Sequence, residues 1–109
     1  MEQAISNKRT LVSPEEVFKS LGHPARLTMV ELLSEEEHCV CDLVEAVGLG
    51  WSTVSRHLSV LREAGVVADE KRGLQVFYRL TLPCVAQFIA CLRSPADYPE
   101  LTGTDCGCR

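Results

Sequence analysis

A mainly α-helical fold with a single β-hairpin is what this sequence predicts, and three observations carry that prediction. Apolar residues recur at three- and four-residue spacing in five stretches, most of them opened by a Ser or Pro start signal. One stretch only, "VVADEKRGLQVFYRL", reads as two strands folded about a glycine turn. The chain has 109 residues, enough for one modest core. A domain of that size gains from a partner surface, so a homodimer is expected.

The elements follow in order. Residues 1–12 are polar and unpatterned and read as a flexible N-terminal arm. In "SPEEVFKSLG", Ser13 is placed to cap a helix, Pro14 fits its first position, and Glu16 completes a capping box. Gly22 stops it. A second helix opens at Pro24 and turns Leu27, Val30 and Leu33 inward. A third runs from about Val40 to Val47, with Leu43, Val44 and Val47 inward and Asp42 near the positive end of its dipole. "GLGW" is then a turn.

"STVSRHLSVLREAG" predicts the strongest helix, capped by Ser52, striped by Val54, Leu58 and Leu61, and ended at Gly65. Residues 66–68 should pair with 75–80 across Gly73. Pro83 opens a last helix with Val85, Phe88, Ile89 and Leu92 apolar. Residues 13–93 thus form one domain, and 94–109 read as a flexible tail that carries cysteines.

A short helix, a glycine turn and a helix with a small, polar and basic outer face make a helix-turn-helix. Ser52, Thr53, Ser55, Arg56, His57 and Arg62 are short or basic enough to meet base edges and phosphates in a major groove. The hairpin behind them, tipped by Lys71 and Arg72, forms a wing that reaches adjacent backbone or minor groove. Double-stranded operator DNA is the expected partner of this winged helix-turn-helix. The net charge of −4 does not argue against it. Residues 13–50 hold eight acids against Lys19 and Arg26, whereas 51–80 hold five bases against three acids. A polyanion docks where the local field is positive.

No apolar run is long enough to span a membrane, and the start lacks the apolar core of a signal peptide, so a cytoplasmic location is expected. Six cysteines there read as thiols for metal or redox chemistry rather than as a disulfide framework. An enzyme is not expected, because no C-x-x-C unit and no nucleotide-binding glycine loop is present.

From "LGHPARLTMVELL" through "CVCDLVEAVGLGWSTVSRHLSVLREAGVVADEKRGLQVFYRL", the chain resembles the bacterial ArsR/SmtB family of metal-responsive repressors. The motifs "HPARL", "CVCDL", "STVSRHLSVLREAG" and "VFYRL" stand in that family's order over roughly residues 13–93. The resemblance implies a homodimeric winged helix-turn-helix, dimerised through its first and last helices, that leaves its operator when an ion binds. Within the family, "CVCDL" is most similar to the arsenic and antimony sensors and also to cadmium and lead sensors. That implies Cys39 and Cys41 as ligands and arsenite or antimonite as inducer, with cadmium, lead or zinc as alternatives. No permanent cofactor is implied.

Where one type of arsenic sensor has a third thiol, this chain has Val44, so Cys106 and Cys108 of "DCGCR" are candidates for the missing sulfur. Cys84 and Cys91 share a face of the last helix and read as packing residues. Residues two apart in a helix point to nearly opposite sides. With Cys39 just before the third helix and Cys41 in its first turn, gripping one ion is expected to unwind or tilt that turn. The displacement would pass through "GLGW" to the recognition helix. Two rival readings keep the fold: sensing of oxidation or sulfide by thiol–thiol linkage, and sensing of a small organic ligand with the cysteines idle.

Overall fold

The computed structural model describes residues 12–94. Apart from Val12 and Ser94, the expected arm and tail lie outside the described residues, and so do Cys106 and Cys108. Five helices and three strands follow in the order α1 (Pro14–Ser20), α2 (Pro24–Leu33), β1 (His38–Cys39), α3 (Val40–Val47), α4 (Trp51–Glu63), β2 (Val67–Arg72), β3 (Gln75–Leu80) and α5 (Pro83–Arg93). The sheet is antiparallel with order β1-β3-β2.

Start signals act where expected for α1, whose cap Ser13 accepts from the Glu16 amide at 3.4 Å. The fourth helix differs. It begins at Trp51 on an N-cap Gly50, with no side-chain cap, so Ser52 lies inside its first turn. Gly48 closes α3 at φ 78°, a left-handed conformation that costs glycine least. The hairpin is longer than expected: Val67 pairs with Leu80 and Arg72 with Gln75, leaving a tight turn at Gly73 and Leu74. Lys71 and Arg72 therefore end the strand rather than ride on the turn itself.

The core gathers the inward stripes. Met29 and Val30 of α2, Leu43 of α3, Val54, Leu58 and Leu61 of α4, and Val66 are fully buried. Leu27, Val44 and Val47, expected to be inward, are only half-buried against this core. On α5, Val85 and Ile89 are buried, while Phe88 and Leu92 face outward. The strand β1 has no counterpart in the sequence reading. Two residues are too few to show alternation, and its partners lie some forty residues further along.

Candidate functional site

Two stretches of surface converge on α4 and the hairpin. The first is the outer face of α4. Ser52, Thr53, Ser55, Arg56 and Arg62 are all exposed. Helical spacing explains the set: Val54, Leu58 and Leu61 hold the other side in the core. Arg56 has no ion-pair partner among the described residues, so its charge is available to a ligand. Arg62 pairs with Asp69 of β2 at 3.1 Å.

His57 does not share that outer face. It stands three residues after Val54 and next to Leu58, on the flank of the buried stripe, and it is half-buried. Its Nδ1 lies 3.0 Å from Arg26 Nη1 on α2. Its ring centroid is 4.4 Å from that of His23, the cap of α2. Burial, followed by the charges of His23, Arg26 and Arg56, holds the His57 imidazole below its ordinary value.

The wing is also partly engaged. Arg72 donates to Glu37 at 2.8 Å and to Glu70 at 2.9 Å, and its guanidinium lies 4.6 Å from the centre of the Phe77 ring. The bond from Arg72 holds the Glu70 carboxyl below the usual carboxylate range. Lys71 is exposed and, among the described residues, unpaired. Leu74 at the tip is fully exposed.

The second stretch is the junction of β1 and α3. Cys39 is buried, ends β1, and caps α3 in an extended conformation at φ −81°, ψ 164°. Cys41 sits half-buried in the first helical turn. The two sulfurs are joined as a disulfide, with Cα atoms 5.4 Å apart. The change from strand to helix at Val40 swings both side chains to one side, and α3 keeps its first turn while the sulfurs meet.

Asp42 contributes a carboxylate within 4.8 Å of both sulfurs, and His38 Nδ1 lies 3.5 Å from Asp42. Gln75 Nε2, on β3, points at Cys41 Sγ from 3.8 Å. Through β1, Cys39 pairs with Phe77 and His38 with Tyr78. The thiol pair thus joins two routes, α3 toward α4 and β3 toward the wing. Sequence reasoning found the first route alone. Glu37, Gln75 and Arg26 escaped it, since no periodic signal in their own segments marks a contact this far along the chain. Cys84 is exposed and Cys91 half-buried, so neither packs in the core as expected.

Residues 23–69 match the model of the arsR family of bacterial regulatory proteins. The chain is 42% identical over 91 residues to the arsenic resistance transcriptional regulator ArsR1 of Pseudomonas putida, covering 82% of this chain and 70% of that protein. It is also 42% identical over 76 residues to the biofilm growth-associated repressor of Xylella fastidiosa, covering 70% and 67%. Among solved structures, a homodimeric winged helix-turn-helix DNA-binding domain from Mycobacterium bovis superposes with a TM-score of 0.68 at 27% identity, covering 84% of each chain.

Proposed function

The chain belongs to the ArsR family of bacterial regulatory proteins, and from that premise we propose that it is a metalloid-responsive repressor. Members of the family are DNA-binding transcriptional regulators, and this chain is one of them and not an enzyme. In this reading it holds operator DNA as a homodimer in the cytoplasm. It lets go when trivalent arsenic or antimony binds Cys39 and Cys41.

The observation that carries the reading is the meeting of two sulfurs at a junction tied to both DNA-facing elements. Reduction of the pair on this backbone would leave two thiols on one side of the junction. A trivalent arsenic or antimony centre is a soft acid that bonds thiolate sulfur. Cys39, as the cap of α3, places its sulfur at the positive end of the helix dipole. Cys106 or Cys108 is the source of a third sulfur, from the same chain or its partner. A ligand shifts an equilibrium only by binding one state better. Here the DNA-free state is the one in which α3 and β1 are free to settle around the ion.

Ser52, Thr53, Ser55 and Arg56 read the major groove in this proposal, with Arg62, Lys71 and Arg72 toward the backbone. Arg62 and Arg72 first exchange their acidic partners for phosphate. The homodimer uses α1 and α5. Phe18 and Phe88 meet edge to face at 5.6 Å between ring centres, yet stay 59% and 46% exposed. They line an apolar groove of about 470 Å³ with Val12, Leu82 and Cys84, and Leu92 extends the same helix face. Single apolar residues on a surface need no partner, but a grooved patch of this kind does.

The test is operator binding under reducing conditions, read by fluorescence anisotropy while arsenite, antimonite, cadmium, lead or zinc is added. Arsenite should release the wild type and leave Cys39→Ser/Cys41→Ser on the DNA. Equal release of both proteins rejects the pair as ligands. Arsenite affinity unchanged in Cys106→Ser/Cys108→Ser rejects the tail as the third donor.

The disulfide itself favours a second reading, a thiol-redox repressor. Here a peroxide oxidises the two thiols: one sulfur attacks the peroxide and releases water as a sulfenic acid. The other then displaces a second water to close the disulfide. Release by peroxide, reversed by dithiothreitol, with no response to arsenite, selects this reading over the first.

A further inference from the structure

We propose that His57 is a positioning residue, which accepts a hydrogen bond from Arg26 to lock the recognition helix onto α2, and not a contact to DNA. Arg26 can only donate, so the 3.0 Å approach of its Nη1 makes His57 Nδ1 an acceptor and leaves the ring proton on Nε2. The same guanidinium donates through Nε to the carbonyl of Ser20, the last residue of α1, at 2.6 Å. That carbonyl belongs to the helix end, where acceptors lack intrahelical partners. One planar, always-charged side chain thus ties α4 to α1 and α2 together. His23 completes the cluster. Its Nδ1 accepts from the Ala25 amide at 3.0 Å, and its ring lies against that of His57.

Two bonds of the cluster, Arg26 Nη1 to His57 and the Ala25 amide to His23, end on an Nδ1 acceptor, and the first of them is the one that reaches α4. The charged and titratable groups acting on His57 are His23 and Arg26 from α2 and Arg56 from its own helix. All are basic. From α1, α3 and β2, which also pack on α4, no charged group among the described residues acts on it. A proton on His57 destroys the acceptor and sets two cations in contact.

The sign of the pH dependence follows. The folded value lies below the ordinary 6.5, so the lock is complete above 6.5 and is lost as pH falls below it toward the lowered value. Because α2 packs on α5, the lock also connects the reading helix to the surface proposed for dimerisation. Two reading helices must keep a separation of about 34–36 Å to enter successive major grooves, so a loosened α4 binds less well. An ordinary phosphate contact behaves in the opposite way, since a protonated imidazole gains affinity for DNA.

This inference rests on the proposal that α4 reads DNA, and two measurements separate their fates. In the full chain without DNA, the ring resonances of His57, assigned by their loss in His57→Asn, should titrate below 6.5 and move upward in Arg26→Gln. Titration at or above 6.5 overturns the lock, whether or not DNA binds. The second measurement uses a duplex selected by the protein from a random pool. Wild-type affinity should fall by roughly three- to tenfold per protomer between about pH 7.5 and about pH 5.5. In His57→Asn, which keeps an acceptor near the Nδ1 position and cannot titrate, that fall should vanish. If the variant does not fold, adding the duplex to wild type decides: a further lowering of the His57 titration supports the lock. A rise on adding duplex, or affinity that tightens or stays flat in acid, overturns it. Failure of any duplex to bind sinks the reading by α4 alone.

Discussion

α3 and α4 both begin without a side-chain cap, one on Cys39 and the other on Gly50, and there the likeness ends. α3 has eight residues and fully buries one side chain, Leu43. α4 has thirteen, fully buries Val54, Leu58 and Leu61, and is tied to α2 through His57 and Arg26. Cysteines stand at the start of the lightly held helix, and the exposed polar face belongs to the firmly held one. Under the proposed function that difference divides labour: an element that moves on ion binding is drawn from the less stable part of a structure, while one that matches a rigid partner is fastened. Gly48 and Gly50 lie between the two and take up the change of direction.

Three substitutions probe that contrast, in descending size. Leu58→Ala empties a fully buried site in α4 and should cost about 2–5 kcal/mol in urea denaturation, enough to lower operator affinity through the fold. A cost below about 1 kcal/mol would mean that α4 is no better anchored than a surface helix. Gly48→Ala should cost about 1 kcal/mol, because the residue sits at φ 78° while a Cβ there meets nothing within 4 Å. That cost is purely conformational, and an unchanged midpoint would show that the end of α3 relaxes freely. Smallest of all, Arg62→Ala should change stability by no more than about 0.5 kcal/mol, since its pair with Asp69 is exposed at both ends. The same change should still weaken DNA binding and flatten its salt dependence, if Arg62 turns to phosphate.

Much of the architecture was legible in local pattern. The cap at Ser13, the helix start at Pro24, the stripe of Val54, Leu58 and Leu61, and the glycine turn of the wing each announce themselves within a few residues. "CVCDL" placed the two sulfurs on either side of a helix start, which is where they stand. Ideal helical spacing does not hold across that strand-to-helix boundary, so the two sulfurs meet while α3 keeps its first turn. Periodicity also assigned His57 to the outer face of α4, although its half-burial beside Leu58 puts it against α2. An angular position on the edge of a stripe is decided by what packs alongside, and periodicity alone does not say.

The sequence by itself determined which segments become helices, where most of them start, and that a basic, polar helix precedes a hairpin. Those outcomes depend on hydrogen bonds and side-chain faces separated by four residues or fewer. Tertiary structure alone decided that His38 and Cys39 join β3, that Arg72 is held by Glu37, and that Arg26 reaches both Ser20 and His57. Each of these is a directional contact between side chains or strands brought together only by burying a shared core, and the partner's identity is written nowhere near the residue that needs it.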